Sequence, residues 1–214
     1  MLHDLITITP QHESSAKMVF DKVLELRNGN PRGKMIITIS GEVGSGKSTI
    51  SIVLGRLLTN QGIRAKIIDL DDFYKIPPLE RRAWREKHGL QSIGYEEYDW
   101  KKVYQNISHF LQNKVCSMPC VDLITNHVDE LITDYKGVDL LIINGLYSLK
   151  IKEADLKVFI EQSYDKTIEY QHYNLKEKLD SYRLKVLQRE HEVVNSLKGL
   201  ADFFIDFESS LYHL

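Results

Sequence analysis

Residues 41–49 read GEVGSGKST, and Gly41, Gly46, Lys47 and Ser48 satisfy G-x-x-x-x-G-K-[ST] without a gap. Glycines at 41, 44 and 46 let a short loop turn its backbone N–H groups toward one anion, which bulkier residues would obstruct. Lys47 adds a compact positive charge, and the Ser48 hydroxyl suits Mg²⁺. The expected nucleotide-binding set is Gly41, Val43, Gly44, Ser45, Gly46, Lys47, Ser48 and Thr49, with Ser48 also the metal ligand.

A second chemical cluster follows in RAKIIDLDDFYK, where an apolar run ends in Asp69, Asp71 and Asp72 before Phe73 and Tyr74. In an open parallel sheet, ligands gather at the carboxyl ends of the strands, so a carboxylate here would face the terminal phosphate. Asp71 is the expected base, with the two aromatics walling off water. Asp69 is expected to be solvated and Asp72 to cap a turn.

The elements that must carry these residues are legible around them. MIITIS precedes the glycine loop as a strand, and KSTISIVLGRLLTNQG follows as a helix. The runs RAKIIDL, VDLLIIN, LKVFIEQ and DFFIDF are apolar on both faces, as parallel strands covered by helices are. Residues 1–30 hold an opening helix, with Thr9 as cap, Pro10 at its first position and Gly29 at its stop. The fold expected is a three-layer α/β domain: one domain over 1–214, a mostly parallel sheet flanked by helices, and a small insertion over 77–137.

Within the insertion, PPLERRAWREKHG reads as a charged helix. DWKKVYQNISHFLQN reads as a second, with Val103, Ile107, Phe110 and Leu111 on one face. KVCSMPCVDLITNHVDELITDYKG alternates like a hairpin. Such an insertion beside a nucleotide site builds an acceptor pocket or lid, or docks a second copy in a homo-oligomer.

Composition narrows the field. With 43% hydrophobic residues, 27% charged and a formal charge of −2, the chain resembles neither a disordered segment nor a polyanion binder, so nucleic acid is not an expected partner. No stretch resembles an export leader or a membrane span, and Cys116 and Cys120 read as reduced thiols, which together suggest a cytoplasmic protein. A guanine-reading N-K-x-D is absent, as is a transport-ATPase signature, which leaves transfer of the γ-phosphoryl to a small acceptor.

Taken in order, GEVGSGKST, DLDDFY, EEYDW, SMPCVDL, DLLIINGLYSL and ADLKVFIE resemble the uridine kinase and phosphoribulokinase family of P-loop kinases over about residues 35–207. The resemblance implies an NMP-kinase-like fold, ATP with Mg²⁺, and a nucleoside or sugar-like acceptor. By position, Asp71 matches the acid that activates the acceptor hydroxyl and Lys47 its catalytic lysine. Tyr74 falls in the acceptor pocket, and Asp99 matches an acid that holds sugar hydroxyls. Val121 stands where a pocket aromatic is usual, and His127 lies one position from a base-contacting histidine.

Two departures are visible. The second acidic motif carries Asn144 where a carboxylate is usual, so a charge that would support Mg²⁺ is lost. The stretch where the family has lid arginines, QSYDKTIEYQHYNLKEK, holds none; Lys166, Lys176 and Lys178 supply its positive charge, and Arg183 and Arg189 follow as solvated or ion-paired residues. His191 and Glu192 do not begin a zinc helix, because residue 195 is Asn. These departures motivate a second reading, a nucleotide-binding regulatory or partner-binding module with weak or lost transfer.

Overall fold

Thr9 opens the first helix by a reciprocal cap: its side chain accepts from the His12 backbone N–H, and the His12 ring accepts from the Thr9 N–H. The computed structural model describes residues 6–29, 33–173 and 179–207. In it α1 (Pro10–Asn28) is followed by β1 (Met35–Gly41), α2 (Lys47–Asn60) and β2 (Ala65–Asp69). The segment between β2 and the next strand of the sheet contributes α3 (Pro78–His88), α4 (Trp100–Leu111), β3 (Val115–Val121) and β4 (Val128–Asp134). The chain returns through β5 (Leu140–Asn144), β6 (Leu156–Ile160), α5 (Tyr164–Tyr173), α6 (Ser181–Ser196) and β7 (Phe203–Ile205).

Five strands form one sheet in the order β2-β5-β1-β6-β7, and each neighbouring pair is parallel. Two strand-to-strand steps explain why the apolar runs are continuous. On β1, Met35, Ile37 and Ile39 enter a core shared with α1 and α2, whereas Ile36 enters a second core on the opposite face. β5 repeats the division, with Leu140 and Ile142 on the first face and Leu141 and Ile143 on the second. Alternation to opposite faces, both covered, demands an apolar residue at nearly every position. Each such side chain stabilises by about 1.5–3 kcal/mol relative to exposure.

From the segment between β2 and β5, α4 and β3 pack on the second face. Val103, Ile107 and Phe110 of α4 are buried there, but Leu111 is 41% exposed, so the helix buries a narrower stripe than its sequence suggests. β3 and β4 pair antiparallel as the expected hairpin, and Asn106 ties α4 to it by donating to the Ser117 carbonyl and accepting from the Tyr135 hydroxyl. Among the described residues no helix is long and apolar enough to cross a membrane.

Candidate active site

β1 ends at Gly41, and the loop that follows climbs to Gly46, which caps α2 without a side-chain bond. Because no side chain caps α2, its first N–H groups stay open to an anion. Gly41, Gly44 and Gly46 have φ of 152°, 80° and 85°, which L side chains rarely adopt. Space forbids a side chain as well: a Cβ on Gly46 would lie 2.7 Å from Nε2 of His12 and 3.3 Å from the Phe207 ring. Residues of α1 and of the segment after β7 therefore wall the loop.

Lys47 Nζ donates to the Glu42 carbonyl at 2.6 Å, which folds the lysine back over its own loop. Burial lowers its pKa to about 8, against the opposing pull of Asp71, Asp69, Glu190 and Glu42. Ser48 and Thr49 stand half-buried in the first turn of α2, and the Ser48 hydroxyl donates to Asn144 Oδ1 at 3.4 Å. Asn144 lies level with Asp69 on one side and Ile39 on the other in the strand register. Ser48, Asn144 and Asp69 thus converge at the carboxyl ends of β1, β5 and β2.

Asp69 and Asp72 do not take the roles their order suggests. Asp69 is half-buried rather than solvated, and it is Asp69 that caps the turn Leu70–Phe73, accepting from the Asp71 N–H at 3.0 Å. Desolvation, reinforced by the charge of Asp71, raises its pKa to about 7. Asp72 does not cap: it is buried and accepts from the Val121 N–H at 2.8 Å, pinning the hairpin to the end of β2. The charge of Asp71 bears on Lys47.

These oxygens fit a hard cation. Ser48, Asn144 and Asp69 offer a hydroxyl, an amide oxygen and a carboxylate that is costly to keep charged and unpaired. No group of three or more His, Cys, Asp or Glu able to hold a metal occurs among the described residues. A Mg²⁺ here would therefore draw its remaining ligands from phosphate oxygens and water.

Beyond Asp71 in the chain, Tyr74 is half-buried, and desolvation raises its hydroxyl pKa so that it stays protonated. Asp99 caps α4 by accepting from the Lys102 N–H at 3.1 Å, while its own N–H donates to the Phe73 carbonyl. Behind Tyr74 lies a buried ionic group that sequence reasoning missed. Arg85 meets Glu97 in a two-pronged pair at 2.7 and 2.9 Å and Glu190 at 3.1 Å, and Arg183 approaches Glu190 at 3.6 Å. Arg183 is thus ion-paired as expected, and Arg189 pairs with Glu192 on the surface. Lys176 and Lys178 lie outside the described residues.

Glu42 was missed too, because it occupies a variable position of the motif. It is 5% exposed and accepts from the Tyr164 N–H at the start of α5. Its other oxygen meets His191 at 2.9 Å and Asn195 at 3.1 Å on α6. The phosphate loop is therefore fastened through its own side chain to both helices that follow β6.

A model of the "Phosphoribulokinase / Uridine kinase family" matches residues 36–171. The bifunctional alpha-galactosidase/sucrose kinase AgaSK of Mediterraneibacter gnavus is 25% identical over 92% of this chain and 23% of its own. A pantothenate kinase of Shewanella sediminis is 31% identical over 63% of this chain and 42% of its own. The chain thus spans less than half the length of both. A solved structure of a possible uridine kinase from Bacillus stearothermophilus superposes with a TM-score of 0.64 at 20% identity, covering 90% of this chain and 97% of that one. The mostly parallel sheet flanked by helices is the fold it shares.

Proposed function

The chain belongs to the phosphoribulokinase and uridine kinase family, and from that premise we propose that it transfers the γ-phosphoryl of ATP to a hydroxyl of a nucleoside or sugar-like metabolite. One observation carries the reading: a glycine-built phosphate loop and a pair of carboxylates, Asp69 and Asp71, meet around Lys47. The loop N–H groups and Lys47 hold the β- and γ-phosphates. Ser48, Asp69 and Asn144 would hold Mg²⁺, which when bound would offset phosphate charge. Asp71 accepts the proton of the attacking hydroxyl as its oxygen bonds to phosphorus and ADP departs. Tyr74 and Asp99 orient the acceptor. A cytoplasmic setting fits the free thiols of Cys116 and Cys120.

The test is ADP release by the full chain with ATP and Mg²⁺ across nucleosides, pentoses, glycerate and pantothenate-like alcohols. Acceptor-dependent turnover that falls about 10²- to 10⁴-fold in Asp71→Asn supports the assignment. Asn144, which brings no charge to the second acidic position, favours the other reading, a regulatory nucleotide binder. Tight ATP binding with no acceptor raising ADP release above Asp71→Asn would decide for that alternative.

A further inference from the structure

Both neighbourhoods of the Tyr74 ring are taken. The guanidinium carbon of Arg81, on α3, sits 3.4 Å from the ring centre. Tyr98 lies against the same ring at 4.1 Å with the planes inclined by 33°. A base recognised by stacking needs an open aromatic face, and the nearby rings do not supply one. Tyr98 is fully buried, Trp100 donates to the Tyr95 carbonyl while packing on Tyr98 and Tyr104, and Trp84 is stacked on His88.

What this side of the cleft does offer is a cation. Arg85 is already committed to Glu97 and Glu190. Arg81 is different: among the described residues it bonds to the Ile76 carbonyl alone, 3.4 Å from Nε and 3.3 Å from Nη2, and no carboxylate there pairs with it. It is half-buried, so a partner anion would meet a guanidinium with part of its hydration already lost. Contact with the Tyr74 ring holds the guanidinium in place before any ligand arrives, which reduces the ordering cost of a two-pronged contact. The charges of Arg81 and Asp71 both bear on the Tyr74 hydroxyl, so the cation and the base stand around one side chain.

We propose that Arg81 reads an anionic group on the acceptor, a carboxylate or a phosphate, and that the acceptor is an anionic hydroxy compound rather than an uncharged nucleoside. This narrows the acceptor and rests on the kinase reading above.

The test is acceptor-dependent ADP release by the full chain on matched pairs that differ in charge: D-glycerate and glycerol, pantothenate and pantothenol, ribose 5-phosphate and ribose, with uridine alongside. The carboxylate and phosphate members separate the two sources of the anion. The expected result is use of an anionic member at least about 100-fold above its uncharged partner in kcat/KM. Arg81→Gln should raise KM for that acceptor about 10- to 100-fold, as loss of bonds to a charged group does, with kcat within about twofold. Arg81→Lys should recover part of the loss, since it keeps the charge without the fork. Thermal unfolding of both variants should match the parent. Turnover of uridine or another uncharged acceptor equal to the best anionic one overturns the proposal, as does an equal loss in Arg81→Gln for charged and uncharged acceptors, which would make Arg81 only a brace for Tyr74. Failure of every acceptor, charged or not, removes the kinase reading and this inference with it, a pattern distinct from either.

Discussion

Gly41, Gly44 and Gly46 shape the phosphate loop by backbone conformation, whereas Tyr74, Arg81, Arg85 and Asp99 build the proposed acceptor side from side chains. The first kind of wall grips any triphosphate in the same way, because N–H groups read only charge and shape. A wall of the second kind discriminates, because each side chain can be replaced by one of different size or charge. Its cost is also different: ionic groups taken out of water must find each other across the fold.

That contrast can be broken on the acceptor side first. Arg85→Met should destabilise the protein by about 3–5 kcal/mol, because it leaves Glu97 and Glu190 buried with their main cation gone. Urea unfolding measures it, and a loss below about 1 kcal/mol would mean that the ionic group does not hold this wall. Gly46→Ala attacks the other side. A φ of 85° and a Cβ 2.7 Å from His12 should cost about 1–3 kcal/mol and weaken ATP binding at least tenfold by calorimetry. Normal ATP affinity in that variant would show that backbone conformation is not what makes the grip.

A smaller effect is expected at Asp69. Its folded pKa of about 7 stands above the ordinary 3.8, so between those values the folded chain holds more protons than the unfolded one. Stability from this group is complete below about pH 4 and is lost as pH rises through 7. Asp69→Asn should flatten that slope and raise the stability of the unliganded protein near neutral pH by roughly 1–2 kcal/mol. Melting curves from pH 4 to 8 test this, and an unchanged slope would place the buried charge elsewhere.

The same division governs how much the sequence discloses. The phosphate loop is legible because its geometry admits only glycine at set positions, and the parallel strands because burial on two faces leaves an unbroken apolar run. The hairpin shows in its alternation. Asp69 and Asp72 are misplaced because a tight turn, Leu70–Phe73, rotates successive side chains in ways that spacing does not encode. Arg85 reads as one more charge on a charged helix, since its partner Glu190 lies on α6, far along the chain. Glu42 is hidden for another reason: the motif leaves its position open, and its bonds to Tyr164, His191 and Asn195 exist only once α5 and α6 are docked. Tyr74 pairs with Tyr98 across an isolated bridge, which brings the Asp99 backbone near Tyr74, although the carboxylate of Asp99 is used as a helix cap.

Strand order sets a timetable for synthesis. β1 lies between β5 and β6, both of which leave the ribosome about a hundred or more residues after it. A nascent chain therefore presents the glycine loop, with its lysine, long before either flanking strand exists to hold it. Contacts so distant along the chain favour slow folding. During that interval the face of β1 that carries Met35, Ile37 and Ile39 depends on α1 and α2, both already made, for shelter from aggregation.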